Sequence, residues 1–269
     1  MDPATLIGIL VAFGALVAML TMEGSTVGSI ILVPPMMLVF VGTISVGLAG
    51  STTKDFLHAF KSLPKAFTAK PAPPIESIDT VVALAEKARR QGLLSLEEDA
   101  AKTEDAFLRD ALQNIADGTD GDELRDMLDD AIDTKMKTDG VAYRFFQQLG
   151  GYAPTIGIVG TVVSLTHVLE NLSTPSTLGP MIASAFVATL WGLLSANFMW
   201  LPIAGRLARL SELEADRMTL LMEGVLAVQA GSQPILLRER LTALVPEHRR
   251  GSAKTEARPG SDDHLKSAA

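Results

Sequence analysis

Apolar residues are concentrated in four long runs that contain no Asp, Glu, Lys or Arg. The runs cover Pro3–Met22, Gly24–Thr53, Phe145–Leu169 and Asn171–Gly205. Each has at least 20 residues, which is enough for a helix rising about 1.5 Å per residue to cross a hydrocarbon layer of about 30 Å. The pattern predicts transmembrane helices near residues 4–22, 28–50, 150–170 and 180–204. Pro34 and Pro35 predict a bend inside the second of them.

The polar stretches between and after these runs have helical periodicity and no β pattern. We expect helices near residues 77–91, where Gly92 would end the helix, and near 96–116, 122–148 and 206–230. The sequence therefore predicts an all-α membrane protein with four transmembrane helices and a helical cytoplasmic domain. The predicted parts are two transmembrane helices in 1–50, a helical loop domain in 51–149, two transmembrane helices in 150–204, a helical extension in 205–248 and a disordered tail in 249–269.

The positions of the charged residues predict the orientation. All 23 lysines and arginines lie between Lys54 and Arg144 or between Arg206 and Lys266. The short links near residues 23–27 and 171–179 contain none. Because positive charge stays on the cytoplasmic side, both charged blocks and both termini are expected in the cytoplasm.

Composition excludes several functional classes. The chain has no cysteine, and its four histidines do not have the spacing of metal ligands. A net charge of −8 does not favour nucleic-acid binding. The sequence shows neither a nucleophile paired with a base nor a phosphate-binding loop, so an enzyme is not expected. No cofactor is expected either.

The predicted membrane helices contain no carboxylate in their interiors. Glu23 and Glu170 lie at the outer ends of the first and third predicted helices. His167 lies about one turn inside the end that Glu170 marks. An interfacial position for His167 is favoured over a role as a proton relay. If the chain couples to ions, the titrating carboxylate must therefore come from a partner.

Two threonines offer hydroxyl groups near the middle of the membrane. Thr161 lies nine residues from Glu170, and Thr189 lies nine residues from Pro180 on the adjoining antiparallel helix. Both hydroxyls are therefore about 13 Å deep. They could line a polar path beside a partner's carboxylate, or each could simply bond to a carbonyl of its own helix.

Three motifs resemble the flagellar motor stator A subunit family (MotA/PomA). Residues 151–161 read GYAPTIGIVGT, similar to the family's Ala-Pro-x-x-Gly-x-x-Gly-Thr. Residues 179–197 read GPMIASAFVATLWGLLSAN and are followed by LPIAGRL at 201–207, similar to the family's fourth helix with its terminal proline. Residues 87–98 read KARRQGLLSLEE and resemble the segment that faces the rotor.

The resemblance implies an ion-conducting stator subunit that couples sodium or proton flow to rotation. Such a subunit forms a homo-pentamer around a single-span partner (MotB/PomB) that supplies the ion-binding aspartate, and it acts on the rotor switch protein FliG. By the same resemblance, Thr161 and Thr189 lie on the ion pathway. Pro154 and Pro202 match the prolines that permit bending at the cytoplasmic ends of the third and fourth helices. The charges that match those facing the rotor are Arg89, Arg90 and Glu97, and Glu98 is a neighbour able to share their role.

The coupling ion depends on two positions. In the family, threonine at the position of Thr161 accompanies sodium use, and alanine there accompanies proton use. Ala188, in contrast, stands where sodium-dependent members often have a second threonine. The pattern is mixed and favours sodium slightly.

Two other functional classes remain as alternatives. The chain could be an energy-coupling subunit like ExbB or TolQ, which power outer-membrane processes, although those have three spans. It could also be a channel or transporter that acts alone, although no charged residue within a span and no inverted repeat supports this.

Overall fold

The computed structural model describes residues 4–250, and within them every regular element is a helix. The first apolar run forms α1, Ala4–Met22, and the second forms a short 3₁₀ helix, Val27–Ile30, followed by α2, Val33–Ala49. The predicted bend at Pro34 and Pro35 is wrong, because both prolines lie in the first turn of α2. Proline has no N–H group and suits a first turn, where that group would have no partner within the helix.

Two long helical segments carry the third and fourth apolar runs. The helix α7, Gly121–Glu170, is continuous over 50 residues, so the helices expected at 122–148 and 150–170 are one. The helix α8, Pro175–Leu194, leads through a six-residue π-helical segment, Ser195–Trp200, into α9, Leu201–Gln229. The 3.6-residue pattern of apolar positions gave no indication of this π segment.

Three helical stretches are long and apolar enough to cross a membrane. They are Thr5–Met22, Gly121–Glu170 and Pro175–Gln229. The helix α2 is also apolar but has 17 residues, or about 25 Å at 1.5 Å per residue. The count of four spans therefore stays a prediction, whereas the all-helical class with several apolar helices is confirmed.

The chain divides into two compact units, each built from two stretches of sequence. The first unit comprises Met1–Pro71 and Asp130–Asp216. Its core contains an aromatic cluster in which Phe146 stacks on Trp200 with ring centroids 6.2 Å apart. The helix α3, Thr53–Thr68, packs Phe56 and Phe60 against this cluster.

Sequence reasoning missed α3, although its signals are present. Thr52 precedes it as an N-cap and accepts a hydrogen bond from the Asp55 N–H group at 3.1 Å. Its buried and half-buried residues recur at helical spacing, as Ala59, Leu63 and Ala66 do.

The second unit comprises Ala72–Asp129 and Arg217–Ala269. Besides the start of α7 and the end of α9, its helices are α4 Pro74–Gln91, a 3₁₀ helix Leu93–Leu96, α5 Glu97–Lys102, α6 Ala106–Ala116, α10 Pro234–Leu244 and a 3₁₀ helix Glu247–Arg249. The expected helix at 96–116 is divided because Asp105 caps α6, accepting hydrogen bonds from the N–H groups of Phe107 and Leu108. The prediction of a disordered tail falls largely on residues 251–269, which lie outside the described residues.

Ion pairs join sequence-distant helices within the second unit. Arg125 of α7 donates to Glu223 of α9 at 2.7 Å, and Arg238 of α10 donates to Asp79 of α4 at 2.6 Å. The hydrogen bond to Glu223 raises the pKa of Arg125 above its usual range. Of these helices, α10 also packs against α4.

Candidate functional site

The structure brings Thr161 of α7 and Thr189 of α8 into direct contact. Their hydroxyl oxygens are 2.5 Å apart and share a hydrogen bond. The Thr161 hydroxyl also lies 2.9 Å from the carbonyl oxygen of Ala185 and 3.2 Å from that of Gly157. Four neutral oxygen atoms thus form one half-buried group, which we call the threonine cluster. Of the two alternatives drawn from the sequence, the bond to a carbonyl of its own helix is present at Thr161, and the polar path beside a partner's carboxylate stays a prediction.

Glycines allow the two helices to approach closely enough for this contact. A Cβ atom built on Gly157 would lie 2.9 Å from the Ala188 carbonyl oxygen and 3.1 Å from the Gly192 Cα atom. A Cβ atom built on Gly192 would lie 2.8 Å from the Ala153 carbonyl oxygen. All three neighbours are backbone atoms, so no side-chain rotation relieves the overlap. Small residues are what let membrane helices pack at this distance.

Ala188 lies beside the cluster but is fully buried against other partners. Its Cβ atom would be 2.9 Å from a Cβ atom built on Gly160, and Leu38 of α2 closes the same space at 3.1 Å. A threonine at position 188 would have to fit its two extra heavy atoms there. The alanine at this position therefore matches the close packing at Gly160.

The two prolines weaken the helices on the same side of the threonine cluster. Pro154 lies seven residues before Thr161 within α7, and Pro202 is the second residue of α9, just after the π segment. Neither can donate the usual backbone hydrogen bond, which frees the carbonyls of Gly150 and Phe198 from their α-helical partners. A π segment followed at once by a proline is a local departure from the regular helix where bending is easy.

His167 is not part of the threonine cluster. Its side chain is 61% exposed, and its Nδ1 atom lies 3.5 Å from a carboxylate oxygen of Glu170 and 3.4 Å from the Asn171 amide nitrogen. His167 thus lies in the last turn of α7, and its interfacial position stays a prediction.

A second group of candidate residues lies in the second unit, where α4 ends and α5 begins. Arg89, Arg90, Glu97 and Glu98 are all exposed. Gly92, with φ +83°, ends α4 and turns the chain so that the 3₁₀ helix Leu93–Leu96 packs against α4.

Only some of these charges are paired. Arg90 donates to Glu86 at 3.2 Å, and Glu98 lies 3.6 Å from the Lys87 ammonium nitrogen. Arg89 and Glu97 make no ion pair within the described part of the chain. They are therefore the charges most available to an outside partner.

Lys87 holds the turn between α4 and α5 together. It donates to Asp99 at 2.7 Å, and this hydrogen bond raises the pKa of Lys87 above its usual value, with the charge of Asp99 acting in the same direction. A groove of about 620 Å³ opens beside it, and Leu94, 70% exposed, lies in that groove with Glu97 and Glu98. The segment that resembles a rotor-facing motif thus exposes two arginines before the turn and two glutamates after it, with Leu94 exposed between them.

Comparisons with known proteins show to which family the chain is similar. A family model described as the MotA/TolQ/ExbB proton channel family matches residues 99–219. "Motility protein A" of Bacillus subtilis (strain 168) is 32% identical over 251 residues, covering 91% of this chain and 92% of the relative. "Chemotaxis protein PomA" of Vibrio alginolyticus is 34% identical over 252 residues, covering 93% and 98%.

The chain belongs to the MotA/PomA family. Among solved structures, the flagellar MotAB stator complex from Bacillus subtilis matches with a TM-score of 0.85 and 31% identity over 93% of this chain and 98% of that one. The C. jejuni MotAB structure matches with a TM-score of 0.88, 92% and 97% coverage and 23% identity, and so shows the same fold.

In this MotA/PomA family member, sequence reasoning found the two threonines but missed what surrounds them. The Ala185 carbonyl, the opposed glycines Gly157 and Gly192, and the π segment before Pro202 were not identified as parts of the site. The glycines had a signal, because each stands in a run rich in small residues. The carbonyl and the π segment had none, because both depend on backbone geometry.

Proposed function

We propose that this chain is the ion-conducting subunit of a flagellar motor stator, in which ion flow across the bacterial inner membrane drives rotation. The similarity over 93% of this chain to PomA and to the MotAB stator complex supports this assignment. Several copies, five by resemblance, surround a single-span B subunit of the MotB/PomB kind. The charged blocks and both termini face the cytoplasm, as the distribution of lysine and arginine indicates.

The threonine cluster is the observation that carries the ion-pathway proposal. Two hydroxyls and two carbonyls meet beside the contact of Gly157 with the α8 backbone. Neutral oxygens of this kind replace part of an ion's hydration shell without holding it so tightly that it cannot leave. They suit a transient site through which an ion passes.

The charge that such an ion needs is absent from these spans. No Asp, Glu, Lys or Arg occurs between Phe145 and Leu169 or between Asn171 and Gly205. Neutral ligands alone do not offset the cost of bringing a cation into the membrane. The B subunit's aspartate supplies the counter-charge, and Thr161 and Thr189 pass the ion to and from it.

The outer surface of α7 supports assembly with other helices. Ile158, Val159, Val162 and Val163 are each between 54% and 59% exposed, and Phe186 of α8 is 69% exposed. Packing against partner helices covers such apolar surfaces near the threonine cluster, where the aspartate has to come.

Pro154 and Pro202 act as hinges in this proposal. When the aspartate binds or releases its ion, its charge changes, and the helices around it adjust. Bending at the prolines and at the π segment between Ser195 and Trp200 lets the cytoplasmic ends of α7 and α9 move while the glycine contact keeps its packing.

We propose that torque leaves the subunit through the surface formed by Arg89, Arg90, Glu97 and Glu98, against the rotor switch protein FliG. Each exposed ion pair is worth about 0–1 kcal/mol, so contacts form and break without trapping the rotor. The unpaired state of Arg89 and Glu97 within the described residues supports their role as contact points.

We propose sodium as the coupling ion, with the proton as the alternative. The paired hydroxyls of Thr161 and Thr189 support sodium, which binds through oxygen ligands. Ala188 favours proton coupling, because this chain has alanine where many sodium-dependent relatives have a second threonine. The transported ion is the only non-protein component that the proposal requires.

The test compares Thr189→Val, which removes the hydroxyl at nearly constant volume, with Thr189→Ser, which keeps it. Loss of a group bonded to a charged partner costs about 1.5–3 kcal/mol, so Thr189→Val is expected to lower ion flux at least about tenfold while Thr189→Ser retains most of it. Flux is measured on the complex reconstituted with its B subunit, and swimming speed is measured in cells.

Thr166→Val is the matched control. Thr166 also lies on α7, but it is exposed and its hydroxyl donates only to the Val163 carbonyl of its own helix, at 2.7 Å. Normal flux in Thr189→Val, or an equal loss in Thr166→Val, would refute the ion-pathway role of the cluster.

A further inference from the structure

The helix α3 has an apolar side and a basic side. Its apolar side packs into the aromatic core of the first unit through Phe60. On the other side, Lys54, Lys61 and Lys65 are exposed, at spacings of seven and four residues. At about 100° per residue, these spacings place the three lysines within about 40° of one another around the helix. They form a row about 16 Å long, which we call the lysine row.

The lysine row has no counter-charge in the described part of the chain. None of its three members makes an ion pair within residues 4–250, although other lysines of the chain do. Asp55 is the only carboxylate of α3, and it lies about 100° around the helix from Lys54. Lys61 and Lys65 are four residues apart, a spacing at which like charges on a helix repel each other. An anionic partner outside the chain would relieve this repulsion.

Two contacts place α3 at the polar edge of the apolar runs. Phe60 packs against Phe146, the second residue of the third apolar run, with ring centroids 5.8 Å apart. The carbonyl oxygen of Ala69, just after α3, lies 3.4 Å from the Nη2 atom of Arg206, the first charged residue after the fourth apolar run. Both runs belong to helical stretches long enough to cross a membrane. The helix α3 therefore follows the level at which they leave the hydrocarbon layer.

Exposed apolar side chains lie beside the lysine row. Leu57 is 52% exposed, and Pro64 is also exposed. Both lie about 40–60° around the helix from Lys61, on the same side of the row. Lysines next to exposed apolar residues are typical of a helix in the headgroup layer, where the lysine stems reach toward the phosphates and the apolar residues toward the acyl chains. This combination favours a lipid surface over an acidic protein.

We propose that the lysine row binds anionic phospholipid headgroups of the leaflet in which α3 lies. Lysine suits this role, because its ammonium group contacts a phosphate as a point charge and does not require the fixed geometry of a bidentate arginine. The contact holds α3, and the aromatic core packed against it, at a fixed depth in the bilayer. The proposal depends on the membrane character of the chain and not on ion conduction.

The test maps which lysines the lipid covers. The full chain, as it purifies from membranes with its partner subunits, is placed in nanodiscs of phosphatidylglycerol or of phosphatidylcholine. Both lipids have a phosphate, but only the first is anionic overall. The rate of acetylation at each lysine is read by peptide mass spectrometry. One lysine near an anionic surface corresponds to about fivefold in binding, so the three lysines of the row are expected to react about fivefold more slowly in phosphatidylglycerol.

Lys137 of α7 is the matched control. It is also exposed and makes no ion pair within residues 4–250. It precedes the third apolar run by eight residues, or about 12 Å of helix. This distance exceeds the Debye length of about 8 Å at physiological ionic strength, so Lys137 is expected to react at the same rate in both lipids.

Charge variants test the lysine row independently. Lys61→Gln is expected to lower the excess of phosphatidylglycerol over phosphatidylcholine that the complex retains in native mass spectrometry, by about fivefold. Lys61→Arg keeps the charge and is expected to keep this excess, as is Lys137→Gln. Because Lys61 is exposed, neither change at this position disturbs the core.

Three results would overturn the proposal. They are equal acetylation of the lysine row in the two lipids, slowing of Lys137 as large as that of the row, and equal lipid retention by Lys61→Gln and Lys61→Arg. Acetylation that is slow but equal in the two lipids would show that a protein surface covers the row. Neither measurement uses ion flux, so a complex with lipid-dependent acetylation that does not conduct would count against the stator assignment alone.

Discussion

Replacing Gly157 by alanine tests whether the close approach of α7 and α8 creates the threonine cluster. The new Cβ atom would lie 2.9 Å from the Ala188 carbonyl oxygen, whereas ordinary van der Waals contact begins near 3.4 Å. The nearest atoms all belong to the backbone, so the helices themselves have to separate by about 0.5 Å. Overpacking of this kind costs about 1–3 kcal/mol.

The same separation disturbs the cluster. A shift of about 0.5 Å would move the Thr161 hydroxyl from 2.9 Å to about 3.4 Å from the Ala185 carbonyl oxygen, beyond the usual limit of about 3.0 Å for such a bond. We therefore expect Gly157→Ala to reduce both the thermal stability of the purified complex and the swimming speed. The stability loss corresponds to about 2–4 °C in Tm for each kcal/mol.

Gly151→Ala and Gly179→Ala are the matched controls. Gly151 lies on α7 and Gly179 on α8, and a Cβ atom built on either meets nothing within 4 Å. Alanine is about 1 kcal/mol better than glycine in a helix, so these variants are expected to be neutral or slightly more stable. A Gly157→Ala complex as stable and as active as Gly151→Ala would refute the argument that glycine packing sets the geometry of the cluster.

Three further predictions concern the coupling ion and the cytoplasmic unit. Swimming is expected to depend on external sodium, and full swimming speed in sodium-free potassium medium would exclude sodium coupling. Charge reversal by Arg90→Glu is expected to lower torque in a tethered-cell assay and to be partly restored by a charge reversal on the rotor, and unchanged torque would remove Arg90 from the rotor contact. Because the folded-state pKa of Lys87 is raised by Asp99, its stabilising contribution is fully present below the unfolded-state pKa of about 10.4 and is lost as the pH rises through the folded value. Alkaline unfolding is followed by circular dichroism. Lys87→Met is expected to lack the loss of stability that deprotonation of Lys87 causes, and an alkaline transition identical to that of the unaltered protein would contradict this role of the pair.

The sequence predicted where the apolar helices lie better than it predicted where helices continue or are interrupted. Uncharged runs located α1 and the apolar parts of α7 and α8, because hydrophobic length is a local property. The continuity of α7 through Gly150 and Gly151, and the π segment before Pro202, were not predictable in the same way. Each depends on whether neighbouring helices pack around a weak point, which no local pattern records.

The candidate site divides in a similar way. Thr161 and Thr189 were found by counting residues from a shared end, since two helices joined by a short link keep their residues at matched depth. Their hydrogen bond, and the Ala185 carbonyl beside it, required knowledge of how far apart the helices lie and how they are rotated. The ion pair between Lys87 and Asp99 likewise depends on the turn at Gly92.

The sequence by itself therefore determined the membrane character of the chain, the distribution of its charges and the absence of a carboxylate from the third and fourth apolar runs. These follow from composition along the chain, because lipid and water select residues by polarity at each position. Only the tertiary structure decided that Gly157 and Gly192 face each other and so bring the two hydroxyls into contact. Helix separation is set by the side chains of both partners at once, and it becomes visible only when both helices are in place.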